Sequence, residues 1–153
     1  MYDKIIFLDI DGVLNTWSEQ GKYKDYIDPV KLQRVADIIN TTGAKVVISS
    51  NWRFDMDCVL KNLDLIKDSI IDRTGSGESR LEEIHEWLEN NPTNKWVALD
   101  DLFLDTPNLV MTNEATGITN SNASLAVSML NDTKYDDLYN KASIFCNVSK
   151  IGA

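Results

Sequence analysis

The chain has 153 residues, 43% of them hydrophobic and 25% charged, and a formal net charge of −9 from 24 acidic and 15 basic side chains. That length buries a core without disulfides or a structural metal, so a single domain over 1–153 is expected, and the acidity argues against a broad surface for gripping nucleic-acid backbone. No apolar run approaches the ~20 residues of a membrane span, the start shows no leader pattern, and Cys58 and Cys146 lack metal-type spacing and read as buried, reduced thiols, so a cytoplasmic protein is expected.

Ile5-Ile6-Phe7-Leu8 is a short apolar run that stops at Asp9-Ile10-Asp11-Gly12, the pattern of a buried strand entering a glycine turn. Residues 13–28 read as a loop or small flap. Its rings (Trp17, Tyr23, Tyr26) are expected to pack on the core in preference to stacking on a bound base or sugar. Asp28-Pro29 opens a helix, with Asp28 as N-cap and Pro29 in the first helical position. Leu32, Val35, Ile38 and Ile39 form its apolar face, and Gly43 ends it.

Lys45-Val46-Val47-Ile48 is a second buried strand, ending in Ser49-Ser50-Asn51 and followed by a helix near 53–62. Ile70-Ile71 marks a third short strand. The Gly/Ser-rich loop 74–79 then leads into a helix over 80–90, with Leu81, Ile84, Trp87 and Leu88 as its stripe. Trp96-Val97-Ala98-Leu99 is a further strand, stopping at Asp100-Asp101. Leu109-Val110-Met111 is the last central strand, followed by a turn at Gly117 and a helix over 122–130 carrying Leu125, Val127 and Leu130. Beyond residue 133, Ile144-Phe145-Cys146 reads as an edge strand or a packed extension.

Alternating strands and helices predict an α/β, Rossmann-like, mainly parallel sheet with helices on both faces. Ligands bind such sheets at the carboxyl ends of the strands. Three strands here finish on chemically capable residues: Asp9/Asp11, Ser49/Ser50 and Asp100/Asp101. A lone Asp-x-Asp is ordinarily a solvated turn, and a lone Ser-Ser a helix cap. Carboxylates converging from separate strands instead repel one another unless a cation neutralises them. An all-oxygen set without histidine spacing suits magnesium rather than zinc. The single histidine, His85, falls on the 80–90 helix away from every strand end, so it is expected to pack or face solvent. No Ser-His-Asp triad follows from it, and no Gly-x4-Gly-Lys-Ser/Thr loop is present.

Phe7-Leu8-Asp9-Ile10-Asp11-Gly12-Val13-Leu14, Val46-Val47-Ile48-Ser49-Ser50-Asn51-Trp52-Arg53, the helix start at Arg80 and Leu99-Asp100-Asp101 follow one another in the order of the haloacid-dehalogenase motifs. The chain resembles that superfamily over residues 5–105. The Ser-Ser-Asn-Trp-Arg string and Thr116-Gly117-Ile118-Thr119 resemble its capless branch found with RNA-repair proteins.

The resemblance implies a magnesium-dependent phosphatase. Asp9 would be the nucleophile that forms an aspartyl-phosphate, and Asp11 the acid and then the base. The Asp9 carboxylate, the Asp11 backbone carbonyl and Asp101, supported by Asp100, would hold Mg²⁺. Ser49, or Ser50 if the alignment shifts by one, would bind the phosphate. The third motif needs a cation, for which Arg80 is the choice over Arg73 and Arg53. Asp105 either binds a metal-coordinated water or caps the next loop. With no room for a cap domain in 13–28 or 54–79, the site is expected to be open, which suits a phosphate on a polynucleotide end (a 3′-phosphate) or on a nucleotide. Small phosphoesters, phosphotransfer to another acceptor, and a silent magnesium- or phosphate-binding module are the competing readings.

Overall fold

A computed structural model of the chain describes residues 1–131. The expected edge strand at 144–146, with Cys146, lies outside the described residues. Five parallel strands form one sheet in the order β3-β2-β1-β4-β5: β1 (Tyr2–Leu8), β2 (Lys45–Ile48), β3 (Ile70–Arg73), β4 (Thr93–Asp100) and β5 (Leu109–Met111). The helices are α1 (Trp17–Lys22), α2 (Pro29–Thr42), α3 (Met56–Asn62), α4 (Arg80–Asn90) and α5 (Asn120–Asn131). None of them is long and apolar enough to cross a membrane.

Strand side chains alternate between the two faces of the sheet, and the register keeps each row in step. Ile6, Leu8, Val46, Ile48, Val97, Leu99 and Val110 bury one face against α2, α3 and α5. Ile5, Phe7, Val47 and Ala98 bury the other face against Leu104 and α4, the helix on that side among the described residues. There Phe7 meets Trp87 and Trp96 edge-on, with ring centroids 5.5 Å apart in both pairs. Such pairs add about 0.5–1.5 kcal/mol beyond burial.

The elements begin and end where their chemistry dictates. The Asp28 side chain accepts from the Val30 N–H at the start of α2, and Gly43 closes that helix in the left-handed conformation that a residue without Cβ adopts freely. Ser79 caps α4 through the Glu82 N–H.

Five expectations need correction. Residues 13–28 are not all loop: Thr16 and Glu19 make a reciprocal capping box that starts α1. Trp17 and Tyr23 do not pack on the core, being 63% and 56% exposed. The helix expected near 53–62 is split, because Ser50 caps a 3₁₀ turn at Asn51–Phe54 and Asp55 then caps α3. On α5, Leu125 faces outward while Ala126, Met129 and Leu130 are buried. Cys58 is a free thiol and only half-buried.

Among the described residues, 13–28 and 54–79 hold only α1, α3, a 3₁₀ segment (Asp64–Ser69) and β3. Neither stretch forms a cap domain.

Candidate active site

The site grows out of the α4-facing rows of the sheet. Continuing the alternation beyond Phe7, Val47 and Ala98 brings Asp9, Ser49 and Asp100 onto that same face. The ladder extends far enough to hold them, with the Asp9 N–H donating to the Leu99 carbonyl and the Ser49 N–H to the Leu8 carbonyl, both at 3.0 Å. On β3, Asp72 points to α4, where it accepts from Trp87 Nε1 at 2.7 Å. Thr74, two residues on, therefore joins the row. Thr74, Ser49, Asp9 and Asp100 cross four adjacent strand ends, all buried, at about 4.8 Å per strand.

Two atoms of this row are orphaned. Ser49 Oγ and Thr74 Oγ1 are buried with no hydrogen-bond partner among the described residues, a state that costs about 1–3 kcal/mol each unless a ligand or water meets it. Ser50 differs: its Oγ accepts from the Trp52 N–H at 3.2 Å as the cap of the following 3₁₀ turn. Of the two serines, Ser49 is the one whose buried hydroxyl has no partner among the described residues.

Carboxylate oxygens of Asp9, Asp100 and Asp101 lie within 4.8 Å of one another. Burial first, then the charges of Asp100 and Asp101, push the Asp9 pKa up to about 9, against the opposing pull of Arg80. Burial also raises Asp100, though Arg80 and the Leu102 N–H oppose it. Without an added cation, Asp9 holds a proton at neutral pH. An oxygen-only cluster that cannot stay fully ionised fits a hard divalent cation.

Arg80, in the first turn of α4, places Nη1 2.7 Å from Asp100 Oδ2 and 3.4 Å from Asp9 Oδ1. A helix N-terminus disfavours a cation, and burial works against its charge too. Asp9 and Asp100 outweigh burial and raise the Arg80 pKa. Of the three arginines considered, Arg80 is the one at Asp9. Arg73 is exposed and donates to the Arg53 carbonyl at 2.7 Å.

Arg53 is only 2% exposed and works as a strut. It donates to the carbonyls of Ser49, Ser50, Thr74 and Gly75, to Asn51 Oδ1, and to Glu83 Oε2 at 2.9 Å. The same Glu83 oxygen accepts from the Gly77 N–H, and Glu83 Oε1 lies 4.0 Å from Arg80 Nε. One buried ion pair thus ties the ends of β2 and β3 to the turn of α4 that bears Arg80.

Asp11 stands apart from the carboxylate cluster. Its side chain accepts from Asn15 Nδ2 at 2.9 Å and from Trp52 Nε1 at 3.2 Å. Between Asp9 and Asp101 the chain passes through Gly12 with φ +83°, and a Cβ there would lie 2.3 Å from Asp101 Oδ2. Glycine is required both for the backbone and for the approach. The Thr112 hydroxyl donates to the Gly12 carbonyl at 2.7 Å and fixes the turn. Asp105 is exposed and outside the cluster, and His85 is exposed with its ring edge toward Trp96.

Sequence reasoning missed Trp52, Asn15, Thr74, Thr112 and Glu83. Asn15 had a signal, a buried-run amide just after Val13-Leu14. The others had none short of the fold.

No curated protein and no solved structure matches the chain. The family model described as the HAD domain in Swiss Army Knife RNA repair proteins matches residues 5–123, a span holding the whole polar row, Arg80 and both acidic turns. The chain belongs to that family of the haloacid-dehalogenase superfamily, a superfamily of phosphatases and related hydrolases.

Proposed function

We propose that the chain is a magnesium-dependent phosphomonoesterase acting through an aspartyl-phosphate on Asp9, with phosphate on a polynucleotide end or nucleotide as its substrate. The observation that carries this is the convergence of Asp9, Asp100, Asp101 and Arg80 beside the orphaned hydroxyl of Ser49. The polynucleotide part rests on the RNA-repair description of the family.

An Asp9 oxygen attacks phosphorus while the bond to the leaving oxygen breaks, and Asp11 supplies that oxygen with a proton. Water then attacks the aspartyl-phosphate, Asp11 takes its proton, and the P–O bond to Asp9 breaks, returning the carboxylate and releasing phosphate. Arg80 and Ser49 hold phosphoryl oxygens, donors that gain most as charge develops in a water-poor site. The tie from Asn15 and Trp52 keeps the Asp11 carboxyl on the leaving-group side. Magnesium would be held by Asp9, Asp100 or Asp101 and the Asp11 carbonyl, and would neutralise carboxylate and phosphoryl charge.

The test is phosphate release from an aryl phosphate and a panel of phosphoesters, with magnesium, with EDTA and with Asp9→Asn. Release is expected in the first condition only. A folded wild-type protein that releases nothing across the panel overturns the reading.

A further inference from the structure

Asp11 lies outside the Asp9, Asp100 and Asp101 cluster, with its carboxylate tied to Asn15 and Trp52, and as the proton donor of the phosphatase reading it marks the leaving-group side. A cleft of about 240 Å³ opens there, lined by Asp11, Tyr23, Tyr26 and Trp52. A second cleft of about 470 Å³ adjoins it and is lined by Trp52, Asn51 and Phe54. Trp52 lines both clefts, and its indole N–H donates to Asp11 at 3.2 Å. Tyr23 and Tyr26, 5.2 Å apart between ring centroids, line the first cleft with it. Phe54, 66% exposed, lines the second with it, the Arg53 guanidinium 4.4 Å from its ring centre. Lys24 and Asp25 line both clefts.

We propose that these clefts are two consecutive nucleotide subsites on the leaving-group side: the terminal nucleoside stacks between the tyrosines and Trp52, and the next base between Trp52 and Phe54. This rests on the phosphatase reading and deepens it by assigning the side chains that would hold two successive nucleosides. Two adjoining clefts that share Trp52 and each add aromatic side chains of their own suit planar groups in series, and every base offers a π-face. Lys24, shared by both gaps, meets the phosphodiester that joins the two nucleosides. Asp25, an acceptor, suits a sugar hydroxyl. Lys24 is matched in the lining by Asp11, Asp25 and Asp55, so affinity here comes from stacking rather than from a basic surface. Exposed Trp17 and Tyr23, which contribute nothing to the core, are explained for Tyr23 by this role.

The experiment compares kcat/KM for an alkyl phosphate, nucleoside 3′- and 5′-monophosphates, dinucleotides with the matching terminal phosphate, and a phosphoserine peptide. Each base is expected to add about tenfold, so the ranking is alkyl, then mononucleotide, then dinucleotide. A third nucleotide adds less than twofold. Trp52→Leu compresses both steps, and Phe54→Ala brings the dinucleotide-to-mononucleotide ratio near one. Ratios taken within one variant cancel any loss of folding or turnover. Equal rates on alkyl phosphate and nucleotides, a peptide that matches the dinucleotide, or a ratio untouched by Phe54→Ala overturns the proposal. No release from any substrate, aryl phosphate included, would instead sink the phosphatase reading itself.

Discussion

The two faces of one sheet differ at its carboxyl edge. On the face covered by α2, α3 and α5, the central row of Ile6 and Leu8 runs on into Ile10 and stays apolar, while Ile48 and Leu99 give way to the cap Ser50 and to Asp101. On the face covered by α4, the rows of Phe7, Val47 and Ala98 turn into Asp9, Ser49 and Asp100 within one alternation. The thick face is redundant, with aliphatic side chains from three helices sharing the load. Among the described residues the thin face has one helix, and its first turn is also the wall of the site. Stability and chemistry are therefore separable by face, and substitutions test that separation.

The largest effect is expected at Asp9. Asp9→Asn should cut phosphate release by ~10⁴-fold or more, as losing a nucleophile does. It should also stabilise the metal-free protein at neutral pH. With a folded pKa of about 9 against an ordinary 3.8, Asp9 keeps a proton that the unfolded chain sheds. Its contribution to stability is full below about pH 4 and is lost as pH rises toward 9. The melting temperature of Asp9→Asn in EDTA should exceed wild type at pH 8, with the gap closing toward pH 4. Parallel melting curves would show that Asp9 is not buried as a neutral acid.

Next comes Glu83→Gln, which leaves the Arg53 charge uncompensated. A loss of about 3–5 kcal/mol is expected by urea titration, together with lower kcat because Arg80 loses its neighbour. A change in stability alone would make the Arg53–Glu83 strut purely a folding device. Arg80→Ala should lower kcat by ~10²–10³-fold, and Arg80→Lys should recover part of the rate. Last is Ile38→Val on the thick face, worth about 0.5–1.5 kcal/mol by the same titration. Its kcat/KM should stay within about twofold of wild type, and a larger drop would dissolve the distinction between the faces.

What could be read in the sequence followed from where information sits. Apolar runs that stop abruptly at Asp9, Ser49 and Asp100 are local patterns, and alternation along a strand is enough to place them. Arg80 was legible through a Gly/Ser loop and a helix start. Arg53 was visible only as one arginine among rivals, because its function as a strut depends on carbonyls 20 residues and more away at Thr74 and Gly75 and on Glu83. Trp52 was in a quoted string, yet its bond to Asp11 spans 41 positions. The α1 capping box was local and could have been found from Thr16 and Glu19. Leu125 misled because periodicity alone does not choose between adjacent helical faces that both carry apolar residues.

The turn at Gly12 has a wider meaning for anyone altering this protein. Two loops from neighbouring strands occupy one slot, and they fit only because one of them has no side chain. That makes the slot an interlock. Gly12→Ala would keep every reactive group of the site and still displace Asp101, so a variant that looks harmless on paper would report as a weakened grip on magnesium. Titrating activity against magnesium in that variant reads the tightness of the interlock directly, separating a site that has lost its shape from one that has lost its chemistry.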